Sequence, residues 1–214
     1  MEAKGGYWGG KILRVNLTTK EVKVEPLPEE FPRKYLGGVG FGTRVLYDEV
    51  PKGADPLGPE NKMIITPPGL FVDTGIGTGS KTAFNFKSPL TGGYGRAMAG
   101  AELGVQLKRA GYDMLIIEGQ SEEPVLLVIN DDEVKIVPAD GYWGGLTTGE
   151  ARSKAKEEYP ATQPLSSVLP VRGSASSRSS RPTRGRRPGG VAPVRSLEAR
   201  SSRESSSRAA KRSR

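Results

Sequence analysis

The stretch Lys11-Ile12-Leu13-Arg14-Val15-Asn16-Leu17-Thr18-Thr19-Lys20-Glu21-Val22-Lys23-Val24-Glu25-Pro26 decides the reading of the fold. Two short apolar runs with partial alternation flank the turn residues Asn16 and Thr18-Thr19-Lys20, which predicts a β-hairpin. Pro26 and Pro28 end it, because proline has no N–H to give to a sheet ladder. The second arm then returns far along the chain: Glu21-Val22-Lys23-Val24-Glu25-Pro26 is echoed by Glu133-Val134-Lys135-Ile136-Val137-Pro138. Each copy follows an apolar run and a polar turn, and Pro124 to Val137 reads as a second hairpin turning at Asn130-Asp131-Asp132. Tyr7-Trp8-Gly9-Gly10 also returns, as Tyr142-Trp143-Gly144-Gly145, but before the first hairpin and after the second. That order excludes a simple tandem repeat. It leaves two hairpins built from common strand residues, or an intertwined duplication.

Working outward, Glu29 to Leu36 predicts a short helix stopped by Gly37-Gly38, and Gly42 to Val50 a second one. Lys62 to Thr66 and Thr82 to Phe86 read as strands, and Met114 to Glu118 as a strand buried on both sides. Gly100 to Ala110 predicts a helix with Leu103 and Leu107 on one face and Gly111 as its stop. Thr147 to Tyr159 predicts a polar helix.

Charge divides the chain in two. Residues 1–159 carry 19 basic and 22 acidic side chains and all 14 aromatics, whereas residues 160–214 carry 13 basic and 2 acidic. The net +8 therefore sums a mildly acidic body and an Arg/Ser-rich end. The first part is long enough for one globular core. The second lacks the apolar surface to fold alone and is expected to be a disordered tail. It holds 12 Arg to 1 Lys, against 6 Arg to 13 Lys before it, a shift that fits a change of reading frame near Pro160. The alternative is a non-enzymatic binding module whose basic tail holds nucleic acid nonspecifically through phosphates.

Composition also excludes chemistry. The chain has no Cys and no His, so thiolate clusters, imidazole metal sites and Ser-His-Asp triads cannot form within it. No catalytic residue and no metal ligand is assigned. The carboxylates at Asp48-Glu49, Glu122-Glu123 and Asp131 to Glu133 are expected to decorate solvated surface. No apolar run approaches the roughly 20 residues that span a bilayer, and a cytoplasmic protein is the expectation.

Three glycine-rich segments remain. Gly37 to Gly42 lacks the entering strand and spacing of a dinucleotide loop and reads as a turn between helices. Gly75 to Thr82 misses the nucleotide-phosphate loop because Ser80 stands where glycine must precede Lys81. Thr91-Gly92-Gly93-Tyr94-Gly95-Arg96-Ala97-Met98-Ala99-Gly100 has clearer logic: a loop that admits a ligand to the backbone, a guanidinium fork, and a following helix start.

Six ordered motifs carry a family resemblance. They are Tyr7-Trp8-Gly9, Leu13 to Thr18, Tyr35-Leu36-Gly37-Gly38, Asp55 to Lys62, Lys87-Ser88-Pro89-Leu90-Thr91-Gly92, and Ala110-Gly111-Tyr112-Asp113 with Glu118-Gly119 after it. In this order the chain resembles the N-terminal domain of the aldehyde ferredoxin oxidoreductases over about residues 5–159. The resemblance implies an α+β class: a sheet-rich base with an internal pseudo-duplication and a few short helices. It implies a tungstopterin or molybdopterin cofactor, aldehyde as substrate, ferredoxin as acceptor, and a 4Fe–4S cluster in the parent enzyme whose cysteines this chain lacks. It assigns cofactor contact to Lys81, where the family carries Arg, and to Met98 and Gly100; with Gly95 and Arg96 from the glycine-rich segment, these are the candidate cofactor-binding residues. Met98 stands where the family has an Asn tied to the cofactor's phosphate and magnesium. A thioether is a poor magnesium ligand. By this reading the 214-residue chain is a fragment inactive alone.

Overall fold

The computed structural model describes residues 8–67, 81–100, 102–142, 146, 148–159 and 169–171. The opening stretch forms β1 (Lys11–Asn16) and β2 (Glu21–Pro26), paired from Lys11 opposite Pro26 to Asn16 opposite Glu21. Next come α1 (Glu30–Tyr35), α2 (Val39–Glu49), β3 (Met63–Thr66), β4 (Lys81–Lys87) and β5 (Tyr94–Gly100). Then follow α3 (Glu102–Arg109), β6 (Tyr112–Glu118), β7 (Val125–Asn130), β8 (Glu133–Pro138), α4 (Thr148–Glu158) and β9 (Leu169–Val171).

One sheet has the order β2-β1-β6-β3-β4-β5 and the other β8-β7-β9. The pair β1–β6 is parallel, and every other pairing is antiparallel. β6 lies inside the larger sheet and is covered on both faces, so Tyr112 through Ile117 are all buried. A continuous apolar run is what such a strand requires. On one face Ile12, Ile64, Met114 and Ile116 pack on Phe41, Val45 and Leu46 of α2. On the other, Leu13, Val15, Leu115 and Ile117 pack on Leu103 and Leu107 of α3 and on Val125 and Leu127 of β7. Each such side chain contributes about 1.5–3 kcal/mol relative to exposure. The larger sheet is thus the middle layer, between the α1–α2 pair and a layer of α3 with the smaller sheet.

The two echoed sequences are the edge strands β2 and β8, each the second arm of a six-residue hairpin. The sheet-rich α+β class therefore stands. The motifs have local work too. Asn61 ties the loop before β3 to the end of β4: its Nδ2 donates to the carbonyls of Pro56 (2.7 Å) and Lys87 (3.0 Å), and its Oδ1 accepts from the Lys87 N–H at 3.1 Å. The β4–β5 turn closes through Ser88 N–H to Gly93 O at 2.7 Å and Gly92 N–H to Ser88 O at 2.8 Å.

Three readings are corrected. First, Tyr94–Gly100, read as a loop leading into a helix from Gly100, is strand β5, and α3 begins at Glu102. An edge strand pairs on one side only, and small and polar residues satisfy it without alternating hydrophobicity. Second, α2 starts at Val39, so Gly40 and Gly42 are helical rather than parts of a turn. Third, Leu169–Val171 lies in the stretch expected to be disordered, yet pairs antiparallel with β7. A strand annexed to an existing edge needs no core of its own. The Gly75–Ser80 segment, the second Tyr-Trp-Gly-Gly copy beyond Tyr142 and the rest of the Arg/Ser-rich end lie outside the described residues.

Candidate functional site

The β4–β5 register sets the geometry of the assigned residues. Lys81 stands opposite Gly100, Ala83 opposite Met98, Asn85 opposite Arg96 and Lys87 opposite Tyr94. Directly opposed residues share a face, and alternate residues along a strand do too. Lys81, Tyr94, Arg96, Met98 and Gly100 therefore occupy one face, the face that α2 covers further in. α2 reaches as far as Asn85, which is fully buried. Ala83 and Thr66 on the same face are also buried, but at the sheet edge the face is open: Lys81 and Arg96 are exposed, and Tyr94 and Met98 are each 46% exposed. Gly95 has the other parity. A Cβ there would come within 2.6 Å of the Phe86 ring, so its lack of a side chain serves packing on the opposite face. The structure thus brings four of the five assigned residues together and sets Gly95 apart.

Among the described residues, neither Lys81 nor Arg96 has an ion-pair partner. Lys81, directly opposite Gly100, and Arg96, four residues back along β5 at about 13 Å by strand rise, are cations that suit an anionic group such as a phosphate. Met98 offers only a thioether, and among the described residues no group of three or more acidic side chains could hold a metal ion.

Sequence reasoning missed Asn85 and Tyr94. The Tyr94 hydroxyl donates to Asn85 Oδ1 at 2.7 Å, and Asn85 Nδ2 donates to Ile64 O (3.1 Å) and Thr66 Oγ1 (3.3 Å). Thr66 Oγ1 in turn donates to Ala83 O at 3.3 Å. A buried polar chain therefore runs from the core under α2 to the open face. The signal available was Asn85 between Phe84 and Phe86, an amide at a position that the strand pattern buries.

A second cluster lies where β1, α2 and β6 end and β3 begins, beside a cleft of about 450 Å³. Arg14 grips Glu49 with two nitrogens at 2.8 and 3.0 Å and also reaches Glu118 (3.1 Å) and Glu25 (3.2 Å). Lys62 pairs with Glu49 at 2.9 Å and with Glu118. Burial pushes the Glu49 carboxyl up, but hydrogen bonds from Arg14 and Lys62 outweigh it and its pKa lies below 4.5. Glu118 behaves likewise, with Lys62 as its main stabilising partner. The Glu49 hydrogen bond raises the Arg14 pKa. Every charge is answered by another, which makes a structural clamp. Glu49 was expected at solvated surface, and its half-buried place in this network corrects that reading. Asp113 is a further anchor: its side chain, 1% exposed, accepts from the Gly10 N–H at 2.7 Å and pairs with Lys108.

Comparison with known proteins identifies the family. Residues 12–178 match the family model described as aldehyde ferredoxin oxidoreductase, N-terminal domain. The chain is 46% identical over 153 residues to the tungsten-containing aldehyde ferredoxin oxidoreductase of Thermococcus kodakarensis, covering 72% of this chain and 25% of that protein. It is 37% identical over 166 residues to the enzyme of that name from Pyrococcus furiosus, covering 78% and 27%. It is also 41% identical over 140 residues to the WOR-like subunit of the Pyrococcus furiosus aliphatic sulfonate oxidoreductase, covering 64% and 22%. Among solved structures, the active-site complex BamBC of benzoyl coenzyme A reductase superposes with a TM-score of 0.68 at 33% identity, covering 72% of this chain and 24% of that one. The chain thus spans about a quarter of the length of the relatives it matches. Among the described residues no helix is long and apolar enough to cross a membrane.

Proposed function

The chain belongs to the aldehyde ferredoxin oxidoreductase family, as its N-terminal domain, and from that premise we propose that the open face of β4–β5 is a cofactor-binding surface for a phosphate-bearing pterin. The observation that carries this reading is the co-facial set Lys81, Arg96, Met98 and Gly100, with two cations that have no ion-pair partner among the described residues. Lys81 and Arg96 hold the phosphate, and Gly100 leaves the backbone open to it. Met98 supplies no oxygen for a magnesium contact, so among the described residues the anion is held by Lys81 and Arg96.

When bound, the tungsten or molybdenum pterin supplies the redox chemistry of the parent enzyme. That chemistry takes an aldehyde and water to a carboxylic acid, two protons and two electrons, and the electrons leave to ferredoxin through a 4Fe–4S cluster. This chain's residues bind and orient; with no Cys and no His, they neither ligate the cluster nor offer an imidazole for proton transfer. We accordingly expect no aldehyde oxidation by the purified chain.

The test is equilibrium binding of a synthetic pterin monophosphate to the 214-residue chain, read by pterin fluorescence at several salt concentrations. Saturable binding that weakens with salt, and weakens at least tenfold in the Lys81→Ala/Arg96→Ala double variant, supports the reading. Absence of binding, or binding indifferent to both substitutions, refutes it.

A further inference from the structure

Tyr94 is nearly half exposed, yet its side chain is not free. Its Cα is fixed by the β5 ladder, and its hydroxyl is tied to Asn85 at 2.7 Å. Asn85 has no room to follow a moving ring. Its Nδ2 donates to Ile64 O and Thr66 Oγ1, and α2 presses on it so closely that a Cβ at Gly42 would come within 2.3 Å of its Cγ. The ring is thereby held at both ends, with 46% of the residue still open to solvent. An ordinary surface tyrosine loses rotamer freedom when a ligand stacks on it; one already held loses little, which is preorganisation. The aromatic face supplies large apolar area at a defined orientation. Arg96 lies two residues along on the same face, about 7 Å away by strand rise, and Met98 two further. The stripe therefore presents, in order, a flat ring, a guanidinium and a soft apolar side chain.

We propose that Tyr94 is a binding residue for the planar ring of the ligand, and that Asn85 is the positioning residue that fixes it. The ligand class is a planar heterocycle bearing an anionic group, with its ring on Tyr94 and its anion toward Arg96, the nearer of the two cations. This inference rests on the cofactor-surface reading above and deepens it, since nothing in that reading needs an aromatic contact.

The experiment measures binding of three probes to the 214-residue chain: pterin monophosphate, free pterin, and inorganic phosphate. Tyr94→Leu removes the ring. Tyr94→Phe keeps the ring but cuts the bond to Asn85. Thermal melting of each variant reports folding separately. Tyr94→Leu is expected to weaken both pterin probes about tenfold or more while leaving phosphate within about twofold of wild type. Tyr94→Phe is expected to weaken the pterin probes about threefold, with melting close to wild type. Wild-type chain that binds phosphate but neither pterin probe overturns the role of Tyr94 and leaves the anion site standing. Pterin binding unchanged in Tyr94→Leu overturns it as well, as does an equal loss for all three probes, which marks a purely structural residue. Wild-type chain that binds none of the three overturns the cofactor-surface reading and this inference together.

Discussion

Gly42→Ala separates two opposite expectations. α2 runs from Val39 to Glu49, so residue 42 is helical, and alanine there should gain about 1 kcal/mol over glycine on intrinsic propensity. Packing opposes this. The added Cβ would meet Asn85 at 2.2 Å from Nδ2, 2.3 Å from Cγ and 2.8 Å from Cβ. Contacts that short force Asn85 or α2 to move. Overpacking of this kind costs about 1–3 kcal/mol. Moving Asn85 also strains its bonds to Ile64 O, Thr66 Oγ1 and the Tyr94 hydroxyl, and a buried polar group left unpaired costs about 1–3 kcal/mol. The packing terms win, and we expect a net loss of about 2–4 kcal/mol, or a Tm drop on the order of 5–15 °C in a chain this size. Urea unfolding followed by far-UV circular dichroism, checked for an unchanged m-value, measures it. A double-mutant cycle with Asn85→Ala locates the cause. With the amide gone, the penalty of Gly42→Ala should shrink by about 1 kcal/mol or more, and only in part, because the Cβ of residue 85 remains in contact. A Gly42→Ala variant as stable as wild type, or a penalty unchanged by Asn85→Ala, would refute the claim that α2 docks on the sheet through this amide.

The charge clamp gives further expectations. Arg14→Met removes the guanidinium shared by Glu25, Glu49 and Glu118 and should destabilise the chain by about 1–3 kcal/mol, reduced from the fully buried case because the pairs are partly solvated; denaturant unfolding tests it. Lys11→Met cuts only the exposed pair with Asp132 and should leave the unfolding midpoint unchanged in the same assay. The Glu49 and Glu118 pKa values are lowered in the fold. Their contribution is therefore complete above the unfolded value near 4.5 and is lost as pH falls through the folded values. A pH series of unfolding midpoints should fall below about pH 4.5, and less steeply in Arg14→Met. Asp113→Ala leaves Lys108 and the Gly10 N–H unanswered at a buried site and should cost about 3–5 kcal/mol, again read by denaturant unfolding.

The hairpins and β6 were legible because their information is local: apolar runs, turn residues and prolines suffice. β5 was not, since Tyr-Gly-Arg-Ala-Met-Ala-Gly has the composition of a loop and becomes a strand only because β4 offers it an edge. Glu49 was misread for a related reason, as its partner Arg14 lies 35 residues away and nothing near Glu49 announces it. Of the candidate site, Lys81, Met98 and Gly100 came from resemblance and Arg96 from its glycine-rich setting, but their shared face follows only from the β4–β5 register. The same parity sends Gly95 to the other side, which no spacing argument revealed while the segment was taken for a loop.

Asn85 joins the question of stability to the question of binding. An apolar residue between Phe84 and Phe86, matched by an apolar residue at Thr66, would satisfy the core about as well, because replacing both partners of a buried hydrogen bond with apolar groups is often nearly neutral. The chain instead keeps an amide there and a glycine at 42 to accommodate it, at a propensity cost of about 1 kcal/mol. What the amide adds that a leucine could not is a directional bond to the Tyr94 hydroxyl. Core packing needs no such bond, since Tyr94 lies on the open face and contributes to neither buried cluster. The fixed orientation of that ring is therefore the property served by both Gly42 and Asn85. Changes at these two positions should alter ligand binding on β5 through Tyr94 even where the fold survives them.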